Sequence, residues 1–294
     1  MLVYWDAPAK PGVWKDFPEF TFVTKLRAGT LRMFEPEAWV CDPLISVDHC
    51  EQFPSIKYLV TPSTGTNHID LKKCEDNLVK VISLLDDRDG LEEIRASSEF
   101  TFMMILMGLR KGAFRQWRKY YRDDDMMRGF ELYGKKVGIV GYGRIGKNIA
   151  RWCQAFGAEW DYYDPKYREH GQQDLKKLFR HSDIVVISCE LNNQTKGMIT
   201  SKHLRQMKKA SLLVNTARAE IINEKDLLEF AEQKEQIYAA DVLHGEVTGD
   251  HVNSKLLHLP NCIIQPHIAG TTYESQEKAA RIALGLLRKE LECL

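Results

Sequence analysis

From residue 136 onward, the chain alternates short apolar runs with stretches in which apolar residues recur every three or four positions. The short runs predict buried strands at about 136–140, 159–163, 183–187, 211–214, 237–240 and 262–264. The periodic stretches predict helices at about 144–156, 173–180, 201–208 and 224–233, and Asn223 is placed as the N-cap of the last. Alternation of this kind is typical of a doubly wound parallel sheet.

The part of the chain before residue 100 shows a smaller alternation. It predicts a strand at about 56–60, a polar turn at 61–66, a helix through about Lys73 and a strand at 78–82. Residues 1–34 look irregular, and residues 86–93 are predicted to form a charged, lengthened loop. We therefore expect an α/β protein with two Rossmann-like lobes, a doubly wound parallel sheet in the second and a smaller, flavodoxin-like first lobe.

Two further helices bear on the division into domains. An apolar helix at about 97–109 is predicted to connect the lobes, and a C-terminal helix carries an apolar stripe of Ala279, Ile282, Ala283, Leu286 and Leu287. A capping box of Thr271 and Glu274 is predicted to open the C-terminal helix, which we expect to pack against the first lobe. The predicted domains are residues 1–98 with 269–294, for the substrate, and residues 99–268, for a nucleotide.

Three glycines follow the strand predicted at 136–140. Gly141, Gly143 and Gly146 form the pattern G-x-G-x-x-G at the start of a helix. The first makes a tight turn, the second lets backbone N–H groups approach a pyrophosphate, and the third lets the helix pack on the strand. The anion then rests at the helix N-terminus, where free N–H groups and the helix dipole favour it.

An acidic residue ends the next predicted strand. Asp164 lies about 20 residues beyond the glycines, which is the spacing expected of a carboxylate that binds the ribose diol. Together with the glycines it predicts a dinucleotide site. A carboxylate there repels a 2′-phosphate and favours NAD over NADP, although Lys166 and Arg168 nearby soften that preference.

Composition narrows the partners and the compartment. The 294 residues have a formal net charge of zero, so we expect neither a nucleic acid nor a membrane as partner. The basic stretch at 110–122 is followed by three acidic residues and is interpreted as a solvated or interface helix. Seven cysteines without a C-x-x-C pair indicate a reducing compartment, and no signal peptide is evident, so we expect a cytoplasmic protein without a metal centre.

Over nearly its whole length, the chain resembles the D-isomer-specific 2-hydroxyacid dehydrogenases. The similar motifs are, in chain order, STGTNHIDL at 63–71, ASSEFTFMMIL at 96–106, GYGRIG at 141–146, YDP at 163–165, NTARAE at 215–220, DVLHGE at 241–246 and QPHIAGTT at 265–272. Their order and spacing carry the resemblance, because several are weak singly. It implies an NAD-dependent enzyme that interconverts a D-2-hydroxy acid and its 2-oxo acid, and a homodimer.

The resemblance also implies roles for individual residues. Arg218 matches the substrate-orienting arginine, His267 the acid/base histidine and Glu246 its acidic partner, while Asp241 matches the aspartate near the nicotinamide amide. Backbone amides at Ser63, Thr64 and Gly65 match the segment that holds the substrate carboxylate. The implied cofactor contacts are Gly141, Gly143, Arg144, Ile145, Gly146, Asp164, Thr216, Ala217, Arg218, Asp241 and His267.

The chemistry of these side chains suits such a reaction. Reduction of a 2-oxo acid needs a hydride donor, a proton donor beside the carbonyl oxygen and a cation that fixes the carboxylate. His267 can supply the proton near neutral pH, and a hydrogen bond from its other nitrogen to Glu246 would fix the orientation of the ring. Arg218 offers a planar, permanently charged fork that matches an α-oxo carboxylate.

Some positions depart from the pattern of the family. Ala219 replaces the usual Gly after the arginine, and Val247 replaces the usual Pro after the glutamate.

Two alternatives to this function stay open. One is an NAD(H)-binding regulator on the same fold, similar to the transcriptional corepressors of this family; the other is a formate or phosphite dehydrogenase, although formate dehydrogenases usually have Gln where Glu246 stands. The identity of the hydroxy acid also stays open.

Overall fold

The chain divides into two compact units in a computed structural model. The first comprises Met1–Arg95 with Thr271–Leu294, and the second comprises Ala96–Gly270. The domain boundaries predicted above lie at 98/99 and 268/269. The structure describes residues 1–8, 11–24, 35–43, 53–111, 128–167, 171, 174–233, 235–246 and 250–293.

The described residues form two parallel sheets with helices. The strands are β1 (Leu2–Trp5), β2 (Thr21–Thr24), β3 (Ala38–Val40), β4 (Tyr58–Thr61), β5 (Lys80–Ser83), β6 (Lys136–Val140), β7 (Glu159–Tyr163), β8 (Ile184–Ile187), β9 (Leu212–Asn215), β10 (Ile237–Ala240) and β11 (Cys262–Ile264). The helices are α1 (Leu71–Asp76), α2 (Arg88–Leu91), α3 (Ala96–Leu109), α4 (Arg144–Ala155), α5 (Leu175–His181), α6 (Ser201–Leu204), α7 (Glu224–Ala231) and α8 (Tyr273–Glu292).

The first unit contains five parallel strands, in the described residues, in the order β2-β1-β3-β4-β5. This is the flavodoxin-like strand order, in which the chain reverses direction across the sheet between β1 and β3. Its core includes residues from both ends of the sequence, among them Val3, Val40 and Val60 from the strands and Ala283 and Leu287 from α8. The smaller flavodoxin-like lobe predicted from the sequence is thus confirmed.

The prediction of an irregular segment at residues 1–34 was wrong for its described part. Leu2–Trp5 forms the central strand β1, and Thr21–Thr24 pairs with it as β2. A 3-10 helix, Pro11–Asp16, lies between them, and its Trp14 ring stacks on Phe22 with centroids 4.9 Å apart. The strands were missed because each has four residues and aromatic packing, rather than a long apolar run, buries the first. Residues 25–34 lie outside the described part.

Two local predictions in the first unit also need correction. Residues 86–93 do not form one loop: a 3-10 helix, Leu84–Asp86, is followed by α2, whose N-cap Asp87 accepts a hydrogen bond from Gly90 N at 3.0 Å. Asp86, in a capping box with Ser83, and Asp87 act as helix caps, a role that composition alone does not distinguish from that of charged residues in a solvated loop. At α8 the N-cap is Thr272, which accepts from Ser275 N at 3.1 Å, and not Thr271.

The second unit contains six parallel strands, among the described residues, in the order β11-β10-β9-β8-β6-β7. Their ends lie within about two residues of the predictions, because four-residue runs such as Ile184–Ile187 are buried throughout and have no polar face. Asn223 caps α7, as predicted. The helix predicted at 201–208 is shorter, since α6 ends at Leu204 and the chain turns through Ala210, which has a φ of 55°.

Helix α3 packs under the second sheet. Met104 and Ile105 are fully buried in a core shared with Val137, Ile149 and Leu212. A methyl group on Gly108 would lie 2.5 Å from the Leu212 side chain, so this helix approaches β9 closely. Beyond Lys111 the basic stretch at 110–122 lies outside the described residues, and its interpretation as a solvated or interface helix stays a prediction.

Candidate active site

The glycine turn, residues 141–146, joins β6 to α4 at the carboxyl edge of the second sheet. Gly141 has a φ of 97°, a conformation that residues with a side chain rarely adopt. A Cβ there would also lie 2.6 Å from Cys189 N. The Gly141 N–H donates to the carbonyl of Tyr163, which ends β7, at 2.9 Å. The first glycine is therefore required both for its backbone angle and for lack of space.

The other two glycines of the turn have different surroundings. A Cβ on Gly146 would lie 2.2 Å from the carbonyl oxygen of Gly141, so this position admits only hydrogen. A Cβ on Gly143 would meet no heavy atom within 4 Å among the described residues. Gly143 is the N-cap of α4 and provides no side-chain cap for the first turn of the helix. Open space at a helix N-terminus fits a pyrophosphate.

Asp164 is held against the glycine turn. Its Oδ2 accepts from the N–H of Tyr142 at 2.7 Å, and its Oδ1 accepts from the N–H of Lys166 at 2.8 Å. The carboxylate is thus placed one residue after β7 and beside the turn, where a ribose diol bound with the pyrophosphate would lie. Arg144 and Ile145 open α4 at the same place. These residues together fit a dinucleotide.

An aromatic stack supports the same turn and was missed by the sequence analysis. The Tyr142 ring stacks on Tyr162 with centroids 3.9 Å apart and an interplanar angle of 9°, and on Trp160 at 5.7 Å. Trp160 and Tyr162 lie two positions apart on β7, so they share one face of the sheet. The alternation of aromatic residues in this strand was the available signal.

The loop after β9 carries Thr216, Ala217 and Arg218. The buried side chain of Asn215 shapes it, because its Oδ1 accepts from Ala217 N at 3.1 Å and its Nδ2 donates to Arg218 O at 3.0 Å. Ala219, where the family usually has Gly, begins a 3-10 helix, Ala219–Ile221, and so needs no glycine backbone. Asn215 was not selected from the sequence, although a polar residue at the end of a buried strand is a signal of such a role.

The histidine loop, residues 265–269, follows β11 and faces the segment after β10. His267 Nδ1 and Glu246 Oε2 lie 2.6 Å apart, and the two side chains are 24% and 22% exposed. The other carboxylate oxygen of Glu246 accepts from the backbone N–H of Leu243. This arrangement directs one ring nitrogen of His267 at the carboxylate and leaves Nε2 for proton exchange.

Asp241 holds the backbone of the histidine loop. It is fully buried, and its oxygens accept from Ile268 N at 2.8 Å and from Ala269 N at 2.6 Å. Burial raises the pKa of Asp241, while these two hydrogen bonds and the nearby His267 oppose the shift. His267 itself has a φ of 54°, in the left-handed region that favours glycine. Sequence analysis selected Asp241 as a contact of the nicotinamide and did not foresee this backbone role.

Arg218 lies beside this pair in the same unit. Its Nη1 donates to the carbonyl of Ala217 at 2.8 Å. Burial lowers the pKa of Arg218, and the charges of Glu246 and Glu220 counteract that shift. The structure therefore brings Arg218, Glu246, His267 and Asp241 together at the carboxyl edge of β9, β10 and β11.

The predicted carboxylate loop belongs to the first unit. It follows β4, and Ser63 Oγ donates to the carbonyl of Gly65 at 2.7 Å. Ser63 O accepts from Leu84 N at 3.1 Å, which ties the loop to the 3-10 helix after β5. Thr64 lies between these residues. Val247, the other departure from the family pattern, lies outside the described residues.

Comparison with known proteins identifies the family. The model for the NAD binding domain of D-isomer specific 2-hydroxyacid dehydrogenases matches residues 102–269. A hydroxypyruvate reductase from Thermotoga maritima is 28% identical over 265 residues, which cover 84% of this chain and 81% of that protein. A glyoxylate reductase from Thermococcus gammatolerans is 32% identical over 245 residues, which cover 78% and 71%.

Solved structures agree in fold. A phosphoglycerate oxidoreductase from Vibrio cholerae has a TM-score of 0.80 at 22% identity, with 100% of both chains covered. The fold and the site define a dinucleotide-dependent dehydrogenase with two α/β lobes. The chain belongs to the D-isomer specific 2-hydroxyacid dehydrogenase family, as its motifs predicted, and it is an NAD-dependent oxidoreductase. Among its described residues, no helix is long and apolar enough to cross a membrane.

Proposed function

We propose that this protein interconverts a small 2-oxo acid and its D-2-hydroxy acid, with His267 as the acid/base, Glu246 as its partner and Arg218 as the residue that orients the substrate. The observation that carries the proposal is the 2.6 Å contact between His267 Nδ1 and Glu246 Oε2 in the unit that contains the glycine turn. Bound NADH would supply the hydride. The side chains of this protein would orient the acid and transfer the proton.

His267 gives up a proton during reduction. With its Nδ1–H donated to Glu246, His267 would pass the proton on Nε2 to the carbonyl oxygen. Bound NADH would supply the hydride to the carbonyl carbon, and the 2-oxo acid would become a 2-hydroxy acid. The imidazole is then neutral and is reprotonated from water. In the oxidative direction the same nitrogen accepts the hydroxyl proton. Glu246 stabilises the imidazolium and prevents rotation of the ring, because its second oxygen is held by Leu243 N.

Arg218 fixes the acid. Its guanidinium can donate two parallel hydrogen bonds to the carboxylate and carbonyl oxygens of a 2-oxo acid, and it polarises the carbonyl. Burial strengthens this interaction because water competes less. Asn215 supports it by holding the backbone carbonyl of Arg218 at 3.0 Å. We assign the first unit to substrate binding, with the backbone amides of Ser63, Thr64 and Gly65 as donors to the carboxylate.

The cofactor site is assigned to the second unit. Gly141, Gly143, Gly146 and the start of α4 hold the pyrophosphate, and Asp164 accepts from the ribose diol. The proposed set is completed by Arg144, Ile145, Thr216, Ala217, Arg218, Asp241 and His267. The carboxylate of Asp164 disfavours a 2′-phosphate, so NADH is preferred to NADPH.

Small 2-oxo acids are the substrate class that relatives suggest. The two similar proteins above are named for hydroxypyruvate and glyoxylate, both of which carry the carboxylate and adjacent carbonyl that Arg218 is suited to bind. We do not favour an NAD(H)-binding regulator, since these relatives are named as reductases. A homodimer and a cytoplasmic location remain proposals from the family resemblance.

The test is NADH oxidation by the purified protein with a panel of 2-oxo acids: glyoxylate, hydroxypyruvate, pyruvate, 2-oxoisocaproate and phosphohydroxypyruvate. We expect turnover of at least one acid, faster with NADH than with NADPH. Turnover should be lost in His267→Asn and kept in His258→Asn, which replaces an exposed histidine at the end of the 3-10 helix Lys255–His258. Equal rates in the two variants would contradict the assignment of His267.

A further inference from the structure

A network of polar side chains connects the core of the first unit with the loop after β4. Thr61, the last residue of β4, is fully buried, and its hydroxyl oxygen lies 3.1 Å from that of Ser63. Ser63 Oγ in turn donates to the carbonyl of Gly65 at 2.7 Å. On the other side, the sulfur of Cys41 interacts with the Thr61 hydroxyl and lies 3.7 Å from His68 Nε2. Cys41 and His68 are only 1% and 2% exposed, so water does not compete with these contacts.

The directions of these hydrogen bonds follow from counting protons. A backbone carbonyl can only accept, so the one proton of the Ser63 hydroxyl is directed at Gly65 O. The contact between Ser63 and Thr61 then uses the proton of Thr61, and Thr61 can only accept from Cys41. Burial raises the pKa of the Cys41 thiol to about 12, so the thiol keeps its proton at neutral pH and can donate it. The sulfur is then an acceptor for the N–H of His68, and the network has one direction, from His68 to Gly65 O.

The backbone of the loop after β4 is held by its carbonyl groups. Besides Gly65 O, Ser63 O accepts from Leu84 N at 3.1 Å. The N–H of a trans peptide points away from its C=O, so the N–H groups of Thr64 and Thr66 are turned away from these partners. In the described part of the chain, the N–H groups of Thr64, Gly65 and Thr66 make no hydrogen bond, although the loop is half-buried. Three successive N–H groups of this kind suit an anion.

We propose that Cys41 and Thr61 are positioning residues for the carboxylate of the substrate. Their hydrogen bonds fix the Ser63 hydroxyl, which holds the Gly65 carbonyl inward and keeps the N–H groups of the loop ready for the acid before it binds. His68 completes the network as the donor to Cys41, and none of these three side chains touches the acid. The inference rests on the proposed function for the assignment of this loop to the carboxylate, but it requires no turnover.

The experiment is isothermal titration of the full chain, saturated with NADH, with oxalate. Oxalate carries a carboxylate beside a second carbonyl carbon, as a 2-oxo acid does, but it is not reduced. Thr61→Val keeps the shape of the side chain and removes the hydroxyl, so oxalate should bind more weakly by a factor of about 2–10, which corresponds to one net hydrogen bond. Thr61→Ser keeps the hydroxyl and should bind oxalate as the unmodified protein does.

Cys41 is compared with a second buried thiol of the same core. Cys41→Ala removes the donor to Thr61 and should weaken oxalate binding, whereas Cys41→Ser keeps a donor and should restore affinity. Cys74→Ala removes a thiol that lies on α1, outside this network, and should leave the affinity for oxalate unchanged. His68→Phe keeps a ring without a donor and should have a smaller effect than Cys41→Ala, because His68 acts through the sulfur.

Kinetics distinguish positioning of the acid from a general loss of structure. With an acid that the enzyme reduces, Thr61→Val and Cys41→Ala should raise KM and leave kcat nearly unchanged, because the proposed proton donor, His267, belongs to the second unit. Melting temperatures show whether each variant is folded. If Cys41→Ala does not fold, the pair Thr61→Val and Thr61→Ser decides.

The contrary outcomes separate this inference from the proposed function. Unchanged oxalate affinity in a folded Thr61→Val, or equal weakening by Cys41→Ala and Cys74→Ala, would overturn it. Failure of the unmodified protein to bind oxalate would overturn the inference and the assignment of the loop, while turnover of a 2-oxo acid would still support the proposed reaction. Oxalate binding that is weakened in Thr61→Val, without turnover of any 2-oxo acid, would overturn the reaction and support the network.

Discussion

The glycine turn and the histidine loop both contain a residue with positive φ, but they accommodate this left-handed backbone conformation in different ways. At the start of the glycine turn the residue is Gly141, with a φ of 97°. The pyrophosphate contacts proposed for this turn come from backbone N–H groups and need no side chain. In the histidine loop it is His267, with a φ of 54°, whose side chain is the proposed acid/base. The left-handed conformation costs a non-glycine residue about 1–2 kcal/mol.

The buried carboxylate of Asp241 accounts for the difference. It accepts from the two backbone N–H groups that directly follow His267, at 2.8 and 2.6 Å. Hydrogen bonds to a charged group contribute about 1.5–3 kcal/mol each, enough to offset the strain at His267. A backbone that binds through N–H groups can thus use glycine, whereas a loop that must present a side chain needs a separate group to hold it.

Among the substitutions that test this comparison, we expect the largest effect on activity at His267. Replacement by Asn removes the proton donor and should lower kcat by about 10²–10⁴, the usual contribution of a general acid or base. Affinity for NADH should change little, because we assign binding of the dinucleotide mainly to the glycine turn. Steady-state kinetics and a binding titration measure both. A kcat near that of the unmodified enzyme would show that the loop presents His267 for another purpose.

The glycine turn can be tested at two glycines that differ in the space available for a side chain. Gly146→Ala places a methyl group 2.2 Å from a carbonyl oxygen and should lower the free energy of unfolding by about 3 kcal/mol. Gly143 has free space around its Cα and a φ of −79°, so Gly143→Ala should lower the free energy of unfolding by less than about 1 kcal/mol. Urea denaturation measures both.

Gly143→Ala should affect NADH binding more than it affects stability. The methyl group of Gly143→Ala occupies the space open to the pyrophosphate, so we expect NADH affinity to fall about tenfold, or about 1.4 kcal/mol. Unchanged affinity in Gly143→Ala would mean that the pyrophosphate does not approach this residue.

Asp241→Asn tests the support of the histidine loop. The change leaves one acceptor oxygen and turns an N–H₂ group toward a backbone N–H, so the free energy of unfolding should fall by about 1–3 kcal/mol. The kcat should fall as His267 loses its fixed position, with a smaller effect on NADH affinity. A variant that weakens NADH strongly and keeps its stability would instead favour the nicotinamide contact predicted from the sequence.

Two replacements of His267 measure the backbone strain directly. Both His267→Gly and His267→Ala remove the imidazole, but only glycine adopts the observed φ without strain. His267→Gly should therefore be more stable than His267→Ala by about 1 kcal/mol, as judged by denaturant midpoints. The opposite order would indicate that the loop relaxes once the side chain is gone.

The smallest expected effect concerns a histidine that serves the fold alone. His203 Nδ1 accepts from Thr200 N at 3.2 Å at the start of α6, and burial, followed by the charge of Lys176, lowers its pKa from 6.5. The unfolded chain binds this proton more readily, so stability should fall as pH drops below about 6.5.

The matched comparison uses melting temperatures near pH 7.5 and pH 5.5. His203→Gln should lose less stability on acidification than the unmodified protein does. His181→Gln, at an exposed histidine in the last turn of α5, should behave as the unmodified protein. The same acid-induced loss in all three proteins would assign it to other groups.

Prediction from sequence succeeded where structure depends on local properties. The ends of β6 and β7 match the predicted bounds because each strand is a short run between turn-forming residues. Residues 1–34 were mispredicted because β1 depends on packing against distant strands and α8 rather than on its own pattern. The choice of Thr272 over Thr271 as N-cap depends on backbone angles, which neighbouring threonines do not reveal.

The sequence alone determined the class of fold, the glycine turn and the residue types available for catalysis, because hydrophobic period and the backbone freedom of glycine are properties of neighbouring residues. Only the tertiary structure decided which of these side chains meet. His267 reaches Glu246 across 21 residues, and Cys41 reaches His68 across 27. Such contacts depend on how the strands order themselves in the sheet. The support that Asp241 gives to His267 is likewise set by burial and by backbone N–H groups, which are the same in every non-proline residue.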